Sequence, residues 1–167
     1  MSKTGSTLWA IVLLVTIASS SANCQTNGQT VFELEGNVTS PVSLPPDVIA
    51  VLKSDKVVDG CFKTEGAGVN EEAWFEAAEF DLNDDHRADL IIKPKHTCLF
   101  GANQGPFWIF QNVHDGYQKV LSATGLKLTI LPEKFNSFNT IRVGRAEGMK
   151  GRDTLFRFSQ GKYRPAK

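Results

Sequence analysis

The pattern that most constrains the fold is a series of short apolar segments separated by polar turns, which runs from Ala73 to the end of the chain. Residues 126–130 show it clearly, because apolar and polar side chains alternate there as in a strand with one buried face. The His-Asp-Gly sequence at 114–116 is a hairpin signal between two such segments. Short strands joined by tight turns predict an antiparallel meander. We expect strands at residues 74–82, 90–93, 107–111, 117–121, 126–130, 138–145 and 154–158, with a last segment around Tyr163.

One amphipathic helix is predicted before these strands. Pro45, Pro46 and Asp47 suit a first helical turn, since proline is tolerated there and an acid favours the positive end of a helix. Apolar residues within 48–52 follow at about helical spacing, and we expect the helix to end within 53–56. The sequence therefore predicts an α+β fold, mainly an antiparallel β-sheet meander with one N-terminal helix packed on it.

Residues 1–22 have the order of a secretory signal peptide. Lys3 precedes an apolar stretch at 8–18, and small residues follow before an expected cleavage after Ala22. The apolar stretch is shorter than the roughly 20 residues that a transmembrane helix needs. We therefore predict a secreted or periplasmic protein with no transmembrane segment in the mature chain. The alternatives are a retained membrane anchor and a lipoprotein acylated on Cys24.

The mature chain is predicted to have two parts. Residues 23–42 are rich in small polar residues and indicate a flexible N-terminal segment with one edge strand, whereas residues 43–167 form a single globular β-rich domain. Removing the signal peptide takes away Lys3 and no acid, which leaves 17 basic and 18 acidic residues. This near-neutral balance gives no electrostatic footprint for nucleic acid or for an anionic membrane surface, so we predict no nucleic-acid partner.

The chain has three cysteines, Cys24, Cys61 and Cys98. In an oxidising compartment, the two inside the folded region are the expected pair. A Cys61–Cys98 disulfide would close a loop of about 38 residues and, in the chain-entropy model, would stabilise the fold by about 4 kcal/mol. Cys24 is left over in the N-terminal segment. The alternative is that all three are free or buried thiols.

The acidic segment between two predicted strands, residues 81–89, is the most informative for function. Calcium prefers six to eight oxygen ligands, and alternate positions of a tight loop can converge on one ion. The alternative is a polar turn closed by hydrogen bonds from the Asx side chains to the backbone. The candidate ligands are the side chains of Asp81, Asn83, Asp85 and Asp89 and the backbone carbonyl of Arg87.

This segment resembles the D-x-N-x-D-G-x-x-D calcium loops of the FG-GAP and VCBS repeat families, which lie between strands of β-propeller blades. The longer stretch at 74–121 is similar to small secreted bacterial proteins that carry one such motif and have no assigned activity. The resemblance implies one structural Ca²⁺ ion at the positions named above. The family has glycine after the third acidic position, where the turn needs a positive φ, and this chain has His86. Histidine at that position is expected to weaken or abolish binding.

No nucleophile-elbow motif or phosphate-binding glycine loop is present in the sequence. The leading prediction is therefore a non-enzymatic binding or interaction module whose partner is an extracytoplasmic protein or glycan. Asn103 and Gln104, in the glycine-rich bend at 101–106, are a candidate recognition loop. Phe107–Phe110 are assigned to the core rather than to a ligand groove. The alternative function is a small secreted hydrolase that uses loop carboxylates such as Asp81 or Asp85.

Overall fold

The computed structural model describes residues 28–65, 70–101, 104–144 and 153–166. The predicted signal peptide, Cys24 and Asn103 lie outside these described residues. Within them the helices are α1 (Pro46–Lys53) and α2 (Lys56–Glu65). The strands are β1 (Val31–Glu33), β2 (Phe75–Phe80), β3 (Asp89–Pro94), β4 (Gly105–Val113), β5 (Gly116–Gly125), β6 (Lys127–Phe135), β7 (Phe138–Gly144), β8 (Thr154–Ser159) and β9 (Lys162–Pro165).

The strands form two antiparallel sheets rather than one. A four-stranded sheet has the order β2-β3-β4-β5, and a five-stranded sheet has the order β1-β6-β7-β8-β9. The predicted α+β class and antiparallel pairing are confirmed. The chain passes from one sheet to the other at Gly125, where an added Cβ would lie 2.5 Å from a methyl carbon of Val143. Only glycine fits this close approach between the sheets.

The prediction of a single helix was wrong, because α2 follows α1 after a short turn. The Asp55 carboxylate accepts a hydrogen bond from the Val57 amide at 3.2 Å, as the side chain before a helix start commonly does. Val58 and Cys61, one turn apart, are the buried side of α2. Gly60 and the neighbouring β-branched valines lower the helix propensity of this segment, which is why the sequence pattern did not predict it.

The molecule has three layers, with the four-stranded sheet in the middle. One core lies between the two sheets, and a second core lies between the four-stranded sheet and the helices. Residues 107–110 of β4 alternate between them, since Phe107 and Ile109 enter the first core and Trp108 and Phe110 the second. The assignment of this segment to the core is confirmed. The outer face of the five-stranded sheet is covered by no other described element.

The predicted disulfide is present and ties the helical layer to the sheet. Cys61 of α2 is bonded to Cys98, just beyond β3, with a Cα–Cα distance of 5.9 Å. Beside it, the Trp74 ring stacks between Phe62 and His96, with ring centroids 4.2 and 4.1 Å away. The disulfide is compatible with an extracytoplasmic protein. No helix in the described ranges is long and apolar enough to cross a membrane.

Part of the expected flexible segment contributes to the fold. Residues 31–33 pair with β6, and the side chains of Phe32 and Leu34 are buried between the sheets. The buried Lys93 ammonium donates to the Leu34 carbonyl oxygen at 3.1 Å and forms an ion pair with Glu76 at 3.1 Å. The N-terminal strand is thus attached to both sheets.

Candidate functional site

The acidic loop, residues 81–88, joins β2 to β3 and stands at one end of their hairpin. The two strands pair from Phe75 opposite Pro94 to Phe80 opposite Asp89, so Asp81 and Asp89 are brought to the same end of the ladder. The predicted location of the loop between two strands is confirmed.

The Asp81 carboxylate is the centre around which the loop is wound. One oxygen, Oδ1, accepts hydrogen bonds from the backbone amides of Asn83 and Asp85, both at 3.2 Å. The other oxygen, Oδ2, accepts from the His86 amide at 2.9 Å. Asp81 is only 4% exposed, so these contacts replace most of its hydration.

Two further Asx side chains extend this arrangement. The Asn83 side-chain oxygen accepts from the Asp85 amide at 3.3 Å, and Asp85 Oδ1 accepts from the Arg87 amide at 2.9 Å. Each bond joins residues two positions apart, which is the pattern of an Asx turn. The loop is therefore a polar turn of the kind proposed from its sequence, and the same side chains are the predicted ligands.

The loop contains two non-glycine residues with positive φ, Asp84 at 59° and His86 at 64°. His86 therefore occupies the conformation for which the resembling families use glycine. Left-handed backbone costs a residue with a Cβ about 1 kcal/mol or more, so the loop holds His86 against its preference. The hydrogen bond from the His86 amide to the Asp81 carboxylate helps to hold this backbone conformation.

Asp89 closes the loop from the first position of β3 and is 1% exposed. Its carboxylate accepts from the Leu82 amide at 3.2 Å and from the Asn112 amide of β4 at 2.8 Å. Burial raises the pKa of Asp89 to about 7, and the nearby Asp85 and Asp81 carboxylates act in the same direction against these hydrogen bonds. Burial thus disfavours the charged form of Asp89 relative to a carboxyl group in water.

The outer and inner carboxylates of the loop differ in their partners. Asp85 pairs with the Arg87 guanidinium at 2.7 Å, and Asp84 pairs with Lys134 of β6. Partial burial would raise the pKa of Asp85, but hydrogen bonds from Arg87 and Asn83 hold it below its usual value. Among the described residues, no lysine or arginine lies within ion-pairing distance of the two inner carboxylates, those of Asp81 and Asp89.

The predicted ligands lie in one loop, at residues 81–89. Within the described ranges, no three acidic, histidine or cysteine side chains converge closely enough to hold an ion. Asp85 Oδ2 is occupied by other donors: it accepts from the side-chain NH₂ of Asn83 at 2.9 Å and from two nitrogens of the Arg87 guanidinium. Asp85 would have to exchange the guanidinium for an ion in order to ligate it.

Three residues on other strands support the loop, and no sequence pattern predicted them. Asn112 donates through its backbone to Asp89 and through its side chain to the Ala88 carbonyl at 3.2 Å. Asn139 of β7 donates its backbone N–H to the Leu82 carbonyl at 2.8 Å, which joins the loop to the other sheet. Lys134 is the third, through its ion pair with Asp84.

A cleft of about 360 Å³ opens beside the loop, between the two sheets. Its walls combine apolar side chains with charged and amide groups. The lining residues are Thr30, Phe80, Asp81, Asp84, Ile130, Leu131, Pro132, Lys134 and Asn139.

Of the candidate recognition loop, Gln104 lies within the described residues and is exposed. Its carbonyl accepts from the Gly101 amide at 3.1 Å, directly before β4. No protein-family model, curated protein or solved structure matches this chain.

Proposed function

We propose that this chain is a non-enzymatic extracytoplasmic binding module whose acidic loop holds one structural calcium ion. The observation that carries the proposal is the pair of buried carboxylates, Asp81 and Asp89, at one end of a hairpin without a described cationic side chain against them. Buried charges in proteins are either paired or bound to a metal ion.

The donor set fits calcium. The loop offers only oxygen donors, and hard oxygen ligands are those that calcium takes. Asp81 Oδ2 and both oxygens of Asp89 each accept one backbone amide and keep a second lone pair with which to ligate. The residues that would hold the ion are Asp81, Asn83, Asp85 and Asp89, with the carbonyl of Arg87.

A bound ion would supply positive charge beside Asp89, whose charged form is disfavoured by burial. Because Asn139 of β7 donates to Leu82, holding the loop also holds the contact between the two sheets. The role supported by these contacts is therefore structural. It is also the role implied by the resemblance to the FG-GAP and VCBS calcium loops.

The contacts favour a binding module over the alternative hydrolase. A general acid or base must reach a bound substrate. Asp89 has the raised pKa that such a group needs, but it is 1% exposed and bonded to two backbone amides. Asp85 is more accessible, but its lowered pKa and its contact with Arg87 suit a fixed charge rather than proton transfer.

The partner we propose is an extracytoplasmic protein or glycan, contacted by the recognition loop at Asn103 and Gln104. The exposed position of Gln104, directly before β4, supports this placement. A glycan array probed with the parent chain and with Gln104→Ala tests it. Loss of a signal in the variant supports the placement, and an unchanged signal assigns the contact to another surface.

A thermal melt in chelator and then in millimolar calcium tests the ion site. Binding at 100 times the dissociation constant adds about 2.7 kcal/mol, which raises Tm by roughly 5–10 °C for a domain of this size. Asp85→Asn should lose this rise, because it removes a ligand charge but keeps the acceptor for the Arg87 amide. Asp84→Asn is the matched control, since it removes the same charge from an adjacent residue outside the ligand set. Equal rises in both variants, or no rise in the parent chain, would contradict the proposal.

A further inference from the structure

The zero net charge of the chain is an average over two unlike regions. Residues 121–167 contain ten of the eighteen lysines and arginines but only three of the eighteen acids. The preceding residues hold the other fifteen acids and eight bases. Such an asymmetry between parts of a chain indicates a local interaction surface that whole-chain charge does not reveal.

Strands β6 to β9 of this basic region make up four of the five strands of the five-stranded sheet, whose inner face is filled by the core between the sheets. Its described bases other than Lys134, which pairs with Asp84 in the cleft between the sheets, lie on the outer face, against which no other described element packs. Strand pairing places Arg142 of β7 opposite Leu155 of β8, and Arg157 of β8 opposite Arg164 of β9. The basic outer face is defined by Lys127, Arg142, Arg157, Lys162 and Arg164, all exposed.

These bases have few acidic neighbours. Lys127 lies opposite Glu33, and Arg142 is 3.9 Å from Asp153. Arg157 and Arg164 face each other across the strand pair, and like charges in that position are destabilising. Neither arginine has a carboxylate within ion-pairing distance among the described residues. The fold thus keeps a repulsive pair at its surface that an anionic partner would relieve.

The same face also carries most of the exposed apolar side chains. Of the four large hydrophobic residues that are exposed in the described ranges, three lie here: Val31, Phe135 and Leu155, at 41%, 41% and 37%. Val31 and Leu155 belong to the row of residues that runs through Arg142. Phe135 reaches the face beside Arg157, whose guanidinium lies 5.4 Å from the centre of its ring.

We propose that this face docks onto an anionic lipid surface. A membrane interface attracts the bases electrostatically and buries the apolar side chains between them. A water-soluble polyanion would satisfy the bases but would leave Val31, Phe135 and Leu155 exposed to water. An exposed sheet face also presents its side chains over a broad area, as a planar partner requires.

Co-sedimentation with phosphatidylcholine vesicles, with and without phosphatidylglycerol, tests the proposal. The protein is purified after export, and its N-terminus is checked by mass spectrometry so that the apolar stretch at 8–18 cannot bind lipid itself. Each base near an anionic surface contributes about a fivefold increase in partitioning, so the triple variant should lose about a hundredfold. That variant is Arg142→Gln, Arg157→Gln and Arg164→Gln.

A matched control removes three exposed bases from other parts of the molecule, at Lys56, Lys63 and Lys95, each changed to Gln. It has the same net charge as the first variant and should retain the binding of the parent chain to within severalfold. Equal losses in the two triple variants would show a general charge effect and would overturn the proposal. Thermal melts of both variants establish that they are folded.

Phe135→Trp distinguishes lipid from other partners. Its fluorescence should shift to the blue with phosphatidylglycerol vesicles, because the ring enters an apolar environment, and should not shift with a soluble anionic polysaccharide. Binding to the polysaccharide or to nucleic acid without binding to vesicles would overturn the lipid assignment. So would a salt-sensitive dimer, detected by analytical ultracentrifugation, that is lost in the Arg142, Arg157 and Arg164 variant.

Discussion

The two ends of the β2–β3 hairpin are built differently. The end away from the loop has paired charges, with Glu76 between Lys93 and Lys95. It also has the stacked Trp74 ring and the Cys61–Cys98 disulfide. The loop end has two inner carboxylates without a described cationic partner and two residues held at positive φ. At the end away from the loop, the chain's own groups therefore stabilise the hairpin. At the loop end, the buried carboxylates and the positive-φ residues have free-energy costs that a bound ion could offset.

This contrast makes the disulfide the site of the largest expected effect. Changing Cys61 and Cys98 to Ser together should lower the free energy of unfolding by about 4 kcal/mol, because the unfolded chain regains the freedom of a long loop. Calcium affinity should stay the same, since the disulfide is at the far end of the hairpin. Denaturant unfolding and a calcium titration of the variant measure the two quantities. A variant that lost both stability and affinity in the folded state would break the distinction between the ends.

The charged residues at the end away from the loop give the next largest expected effect on stability. Glu76→Gln leaves the buried Lys93 without a negative partner and should cost about 3 kcal/mol. Lys93→Met should cost only about 1 kcal/mol, because Glu76 keeps Lys95 and the main loss is one hydrogen bond to the Leu34 carbonyl. Urea unfolding of the two variants provides the comparison. Equal costs would show that the buried ammonium does not need its partner.

The same glutamate predicts a pH dependence. Although burial raises the pKa of Glu76, its contacts with Lys93 and Lys95 lower it below the ordinary value of 4.5. A carboxyl whose pKa is lower in the folded state stabilises the fold above its ordinary pKa, and this contribution is lost as the pH falls through the lowered value. The stability difference between the parent chain and Glu76→Gln should therefore shrink below about pH 4. A difference that is constant between neutral and acidic pH would contradict the assignment.

At the loop end, smaller effects on calcium affinity are expected. Arg87→Gln removes the guanidinium that occupies Asp85 but keeps the backbone carbonyl of the ligand set, so affinity should rise about tenfold. Lys134→Gln is the matched control, because it removes the same charge from a partner of Asp84 instead. Calorimetric titration of both variants measures the difference. A larger gain in Lys134→Gln than in Arg87→Gln would show that Asp85 is not the blocked ligand.

The smallest expected effect tests the strained backbone. His86→Gly should stabilise the metal-free fold by about 0.5–1 kcal/mol and tighten calcium binding severalfold, since glycine adopts a φ of 64° without a Cβ penalty. Gln160→Gly, at a φ of 53° in the β8–β9 turn, should give a similar stability gain with unchanged calcium affinity. A similar change of calcium affinity in both variants would show that the backbone conformation at position 86 does not specifically limit calcium binding.

Features of this fold that depend on neighbouring residues could be predicted from the sequence, and contacts between distant segments could not. The strand positions and the loop at 81–89 were predicted because alternation and Asx turns are local features. The helix α2 was missed because Gly60 interrupts a weak pattern. The division into two sheets was not predictable, since strands of both sheets alternate in the same way. The amides of Asn112 and Asn139 reach the loop from distant strands, and no local pattern signals them.

The most direct test of the proposed site is a calorimetric titration of calcium into the chelator-stripped, oxidised protein, with Asp85→Asn and Asp84→Asn alongside. We expect binding of one ion per chain by the parent protein, similar binding by Asp84→Asn and none by Asp85→Asn. Absence of binding by the parent chain, or binding that survives in Asp85→Asn, would show that residues 81–89 form a polar turn without an ion and would contradict the proposed site.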